Sequence, residues 1–431
     1  MVNWKPRGVE MGKNLLILLL TLSAVALAGR ALRYSSPAPG GLLGGFLPSA
    51  TPTAPPVTDS LGQGGVHRPV RMALMNENGR YATQYSDGET DGLFDYLGPL
   101  LGEALGSASP PQPTTRAEWM QALGRIGIYF DFLGPNSLPL LATWLSGETA
   151  VTTLTGLSAK LLLAQEPNGD AVRLYYLDAE TGSYYSCSTS VQFRDLIGNY
   201  SPNGATFAFE STHYSWLAPD VLFLPEPPAP PLYTADGAID FSNPTARQSF
   251  LAALDFFPSS NAIYPTADGW RVLDGTDSLR LSPDGTVTYH SGEGEARYPL
   301  PPNASLAEQL ETAGRLVGQA MAPHSGSARI YLSGLTTSED SVTLTYSYSL
   351  SGAEVQLDPE GWCASFTLAD GQITDYTLRL RRYSPTTESA VLLPEYQAMA
   401  AMDALDARGR FLSLSYFDNG NPQVVPTWIA R

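Results

Sequence analysis

The clearest pattern of apolar and polar positions lies in the second half of the chain. Val342, Leu344, Tyr346, Tyr348 and Leu350 alternate strictly with Thr and Ser, the period-2 signature of a strand with one buried face. Leu412, Leu414 and Tyr416 repeat it. A helical period takes over at Leu306, Leu310, Ala313, Val317 and Ala320, directly behind the capping box Ser305-Leu306-Ala307-Glu308. Asn243 and Pro244 supply the cap and first turn of another helix, with Phe250, Leu251, Leu254 and Phe257 facing inward. A third helix begins at Pro394, carries Ala398, Met402 and Leu405 on one face, and ends before Gly409. Asp-Gly pairs at 268–269, 274–275, 284–285 and 370–371 mark hairpin turns, because this pair takes positive φ at little cost; Asp418-Asn419-Gly420 marks another. This half is expected to be helix followed by antiparallel hairpins, repeated.

The first half mixes its elements. The pattern predicts a strand over 70–75, a helix over 92–105, and a second helix opened by the capping box Thr115 to Glu118 and running to Leu123. A compact apolar strand follows over 126–132, then a short helix over 138–145 carrying Trp144. Strand-like runs occupy 161–163, 172–177, 183–188 and 205–209. No clean βαβ repetition emerges, so the expected class is α+β.

Before residue 67 the pattern changes completely. Lys5, Arg7 and Lys13 precede an uncharged run over 14–29, which ends at Arg30. A spanning helix needs about 17 to 25 residues, so the run spans only if Lys13 and Arg30 snorkel and Ala31-Leu32 contribute. Ala24-Val25-Ala26 or Ala26-Leu27-Ala28 also offers a signal-peptide cleavage site. No Cys closely follows the run, which disfavours a lipoprotein. The expected layout is a cytoplasmic head (1–13), a transmembrane signal-anchor (14–33) and a Pro/Gly-rich stalk (34–66), with the bulk extracytoplasmic. Beyond the stalk come an N-terminal extracytoplasmic domain (67–224), a Pro-rich linker (225–232), a middle α+β domain (233–300) and a C-terminal α+β domain (301–431), as the 431-residue length favours more than one core.

Charge narrows the functions. The net charge of -17 argues against nucleic acid as a partner, which requires a basic face, and disfavours electrostatic adhesion to anionic lipid. The basic run Arg379-Leu380-Arg381-Arg382 sits in a strand-like segment and reads as a solvated edge. Cys187 and Cys363 are compatible with one disulfide or with two buried free thiols.

Catalysis needs a constellation, and none is visible. His67, His213, His290 and His324 each stand alone, without the spacing of a zinc site or a His-based acid–base pair. Ser158-Ala159-Lys160 resembles a Ser-Lys nucleophile only with the wrong spacing. Glu293 and Glu295 are acids close in sequence, as accidental pairs must be in so acidic a chain. Tyr346 and Tyr348 read as packing for a sheet face. No catalytic, cofactor-binding or metal residue is therefore assigned.

Several stretches resemble the YycH/YycI (WalH/WalI) family. The run beginning at Lys13-Asn14-Leu15-Leu16 resembles its single-span anchor. Ala117-Glu118-Trp119-Met120-Gln121-Ala122-Leu123, Gly127-Ile128-Tyr129-Phe130-Asp131-Phe132 and Leu141-Ala142-Thr143-Trp144-Leu145 resemble its first domain. The helix from Pro394-Glu395 to Leu405, the strand over 412–416 and the closing Pro426-Thr427-Trp428 are similar to its last unit. The long stalk and the scarcity of lysine depart from the family. The resemblance implies repeated helix-plus-antiparallel-sheet (PepSY-like) units and a non-enzymatic, membrane-anchored regulator of the WalRK two-component system of Gram-positive bacteria. Its implied partners are the sensor histidine kinase and a paralogous regulator, and no cofactor. Ser23, Ala24, Ala26, Ala28 and Gly29 would let a partner helix approach closely. A cell-wall or small-ligand binding protein, using exposed Tyr and Trp in a groove between domains, is the other expectation.

Overall fold

The computed structural model describes residues 68–146, 152–193, 200–405 and 411–430. The expected head, anchor and stalk, and His67, lie outside them, as does the end of the third helix near Gly409. Among the described residues no helix is long and apolar enough to cross a membrane.

The first half builds a seven-stranded antiparallel sheet in the order β2-β1-β4-β5-β6-β7-β3. Its strands are β1 (Arg71–Asn76), β2 (Gly79–Gln84), β3 (Gln112–Thr114), β4 (Gly127–Ser137), β5 (Leu157–Gln165), β6 (Val172–Leu177) and β7 (Tyr184–Ser188). Helices α1 (Asp87–Ser107) and α3 (Leu138–Ser146) cover one face, where Leu97, Leu101 and Leu141 meet Met72, Leu74, Phe130 and Leu163. The other face receives α2 (Arg116–Leu123), capped at Thr115 by the expected box. There Trp119 packs with Ala73, Tyr129, Leu162 and Phe207, the last on the short strand β8 (Thr206–Phe207), which pairs with β9 (Leu222–Phe223). Because both faces are covered, the strands read as continuous apolar runs rather than alternating ones. Trp119 is fully buried, with its ring 6.4 Å from Tyr129 and 5.6 Å from Tyr184. Trp119→Ala is expected to cost about 3–5 kcal/mol of stability, read by urea melts of the purified chain.

The second half forms a thirteen-stranded sheet. Its members are β10 (Pro231–Gly237), β11 (Ile263–Thr266), β12 (Gly269–Asp274), β13 (Asp277–Leu281), β14 (Thr286–His290), β15 (Arg329–Thr337), β16 (Ser341–Leu350), β17 (Ala353–Leu357), β18 (Ala364–Ala369), β19 (Gln372–Arg379), β20 (Arg381–Ser389), β21 (Leu412–Asp418) and β22 (Gln423–Ala430). Each expected Asp-Gly pair sits at a tight turn, with Gly275, Gly285 and Gly371 at positive φ. Helices α4 (Pro244–Ala253) and α5 (Leu306–Ala320), capped by Asn243 and Ser305, bury Phe250, Leu251, Leu310, Ala313 and Val317 in its core. Helix α6 (Glu395–Ala404) follows β20.

Five expectations need correction. The boundary at 300/301 does not separate two sheets: β14 pairs with β19 and both belong to one continuous sheet. Phe257 is 72% exposed and not inward, because α4 ends at Ala253 and Asp255 at φ 55° redirects the chain. Leu405, at the end of α6, is likewise exposed, and the far half of β16 is buried on both faces, Ser347 and Ser349 included. The basic run is a solvated edge only at Arg382, which is exposed on β20 at the end of the sheet; the other two arginines are engaged. Arg379 donates to the carbonyls of Leu357, Asp358 and Trp362, and Arg381 grips Asp418 through Nε and Nη2 at 2.8 and 2.9 Å.

The two halves meet closely. Gly134 on β4 lies against β15, where a Cβ would overlap the Leu332 carbonyl oxygen and the Tyr331 ring. Arg329 on β15 pairs with Asp91 and approaches Asp87 at 3.7 Å, both on α1.

Candidate functional site

Strand parity places the charges. Arg71, Ala73 and Met75, like Tyr129 and Asp131, or Lys160, Leu162 and Ala164, are alternate residues of β1, β4 and β5 and so share one face of the first sheet. The middle of that face is apolar core, whereas one end is polar. Pairing aligns that end into a row: Gln84 lies opposite Arg71, Arg71 opposite Asp131, and Asp131 opposite Lys160. Side chains directly opposite on neighbouring strands stand about 5 Å apart, so the charges along the row alternate in sign within contact distance.

Each member has a partner. Arg71 Nη1 donates to Asp131 Oδ2 at 2.9 Å, and Asp131 Oδ1 accepts the Leu133 N–H at 2.8 Å. Lys160 Nζ pairs with Asp220, whose Oδ2 also accepts the Tyr129 hydroxyl at 3.0 Å. Burial works against the Arg71 charge, but Tyr85 and Asp131 outweigh it and raise its pKa above the ordinary arginine value. Burial, reinforced by the Asp220 carboxylate, holds the Tyr129 hydroxyl protonated well above its usual range.

The opposite wall comes from the second half. Glu354 on β17, Phe411, and Leu412, Ser413 and Leu414 on β21 close a cleft of about 180 Å³ over Arg71, Asp131, Lys160 and Asp220. Lys160 Nζ stands 4.3 Å from the centre of the Phe411 ring. The Tyr85 hydroxyl accepts the Leu414 N–H at 3.2 Å and ties β21 to the end of β2.

At the Gln84 end the row is completed by Glu395, the first residue of α6, which is 2% exposed. Its Oε1 accepts from Gln84 Nε2 and its Oε2 from the Leu224 N–H, so one carboxyl joins three separate segments of chain. Burial pushes this carboxyl up to about 8, against the Leu224 N–H, Arg71 and Gln84, which favour the charged form.

The other singled-out residues form no site. His213 is exposed, His290 pairs with Asp375 at 2.7 Å, and His324 packs near Phe250, its pKa lowered chiefly by burial. Glu293 and Glu295 lie exposed outside the strands. Ser158 Oγ donates to the carbonyls of Lys160 and Leu177, away from the Lys160 ammonium held by Asp220. Tyr346 and Tyr348 are core residues, and so are Trp119, Tyr383 and Tyr416; the cleft over the polar row is lined by charge and Phe411, while Trp144 and Tyr346 line a separate, smaller cavity of about 40 Å³ between the halves. Among the described residues no group of three His, Cys, Asp or Glu could hold a metal ion.

Cys187 and Cys363 are unpaired and fully buried, in two different cores. Burial raises both thiols, Cys187 to about 11. A thiol reagent at neutral pH is expected to leave both unmodified in the native protein and to label both after denaturation. Rapid native labelling would contradict their placement.

The polar row leaves only a faint trace in sequence. Arg71, Asp131 and Lys160 each stand as a lone charge in or beside an apolar run. Their shared parity with core residues was the available signal, but which strands are neighbours is not a local property.

No family model matches the chain, and no curated protein matches it. Among solved structures the chain is similar to the crystal structure of YycH from Bacillus subtilis, with 10% sequence identity and a TM-score of 0.49, over 85% of this chain and 98% of that one.

Proposed function

We propose that this protein is a non-enzymatic extracytoplasmic regulator of a two-component sensor histidine kinase, held at the membrane by residues 14–33. The observation that carries this reading is the order of segments. A cationic head is followed by an apolar run, an uncharged Pro/Gly-rich stretch, and a folded α+β body that begins by residue 70. Positive charge before the apolar run orients the body outward. The resemblance of the anchor run, the Trp119 and Trp144 segments and the closing Pro426-Thr427-Trp428 to the YycH/YycI family supplies the partner: a sensor kinase, with a paralogous regulator beside it. In this reading the helix-then-sheet repetition of the second half represents PepSY-like units, and Ser23, Ala24, Ala26, Ala28 and Gly29 form the face that meets the kinase helix.

Membrane fractionation with in-cell crosslinking tests the proposal. The full chain is expected in the membrane fraction, resistant to salt wash and crosslinked to a sensor kinase. A variant in which residues 1–33 are replaced by an unrelated cleaved signal peptide is expected to leave the membrane and lose the crosslink. A full chain that is soluble, or that captures no kinase, would overturn the reading.

A further inference from the structure

Helix α6 is held to the rest of the protein at few points. Pro394 precedes it without a capping side chain, and within the helix only Glu395, Ala398 and Met399 are buried. Val391, Leu393 and Leu405 beside it are exposed. Its grip on the first half comes from two adjacent residues. Glu395 accepts from the Gln84 amide and the Leu224 N–H, and Tyr396 stacks on Phe223 with ring centres 4.8 Å apart while its hydroxyl meets that of Thr206. We propose that α6 is a proton-controlled clasp, docked on the first half while the Glu395 carboxyl is protonated and released when it ionises.

The surroundings of the carboxyl set this behaviour. Glu395 is closed to water, so an ionised carboxylate there has only the protein to solvate it. Both hydrogen-bond donors, the Gln84 amide on β2 and the Leu224 N–H after β9, are neutral. Two titratable groups of the first half face it. Arg71 on β1 favours the charged form, but its guanidinium is already engaged by Asp131 at 2.9 Å. The Tyr85 hydroxyl at the end of β2 is kept protonated chiefly by burial. On its own helix the neighbouring Tyr396 hydroxyl is turned to Thr206. A carboxyl pushed up to about 8 when docked, and at 4.5 when free, favours docking fully below pH 4.5 and loses that contribution as pH rises through about 8. Because α6 has few other buried contacts, the loss opens α6 before it reaches the sheets. Opening uncovers Met399 together with the Phe223 and Tyr214 rings that Tyr396 covers, an apolar surface present in one state only. The clasp rests on this geometry, whether or not a kinase is the partner.

Hydrogen exchange read by mass spectrometry tests it on the detergent-purified full chain at pH 6 and pH 9. Rates are expressed as protection factors, so that the intrinsic pH dependence of exchange cancels. Peptides covering α6 are expected to lose protection at least tenfold at pH 9, while those covering β5 keep theirs. In Glu395→Gln, which cannot ionise, α6 is expected to keep its protection at both pH values. Wild-type α6 with equal protection at the two overturns the proposal without reference to any variant. A loss that β5 shares also overturns it, because the whole chain then opens. An equal loss in a folded Glu395→Gln protein overturns the assignment to this carboxyl.

Discussion

Asp418→Ala is expected to destabilise the protein by about 3–5 kcal/mol, the range for removing one partner of a buried ion pair. The Asp418 side chain is fully buried at the end of β21 and accepts four hydrogen bonds from three groups at once. Arg381 reaches it twice, the Tyr383 hydroxyl at 2.8 Å and the Gly420 N–H at 3.0 Å. Alanine leaves a guanidinium, a phenol and a turn amide without their acceptor, in the sheet where β10, β20 and β22 come together. The double variant Arg381→Met with Asp418→Leu is expected to recover part of the loss, because the penalty lies in the stranded charge more than in the missing pair. Equilibrium urea melts measure both. An Asp418→Ala protein within about 1 kcal/mol of wild type would show that the cluster carries little stability.

Glu395→Ala is expected to cost about 2–4 kcal/mol, since it strands the buried Gln84 amide and the Leu224 N–H together. The pH dependence is the sharper readout. The folded-state pKa of Glu395 is raised from the model-peptide 4.5 to about 8. A group shifted upward binds its proton more tightly in the folded than in the unfolded chain. Its contribution is therefore fully present below pH 4.5 and is lost as pH rises through about 8. Glu395→Gln does not titrate, and its amide can pair with Gln84 if either amide rotates. Across that window the melting temperature of wild type is expected to fall relative to Glu395→Gln. Parallel curves for the two proteins would place the Glu395 carboxyl in an ordinary, ionised state throughout.

Both residues illustrate which parts of the structure a sequence exposes. The capping boxes at Thr115 and Ser305 and the Asn243-Pro244 start are visible because their chemistry closes within a few residues, and each caps the helix expected. The Asp-Gly turns are local in the same way. Strands β2, β15 and β20 are not visible. β2 and β15 have no clean alternation, and β20 is a largely polar strand with Pro385 inside it, placed beside β10 by a pairing that spans most of the second half. Merging the expected separate units into one sheet depends on such distant pairings, β14 with β19 and β17 with β21. The polar row fails for the same reason: Gln84, Arg71, Asp131 and Lys160 become neighbours only when four strands take their register. Glu395 is conspicuous in sequence as the residue after Pro394 at a helix start, where an acidic side chain ordinarily faces solvent and the helix dipole. Its burial against Gln84 depends on how the two halves dock.

The proposed role in signalling is tested most directly in cells. Kinase output, read from a reporter of its response regulator, is compared in a strain lacking this gene, in the same strain complemented with the full chain, and in one complemented with the body behind a cleaved signal peptide. A several-fold change in output is expected on deletion, restored by the full chain and not by the unanchored body. Output that is unchanged on deletion for every sensor kinase of the cell would contradict it.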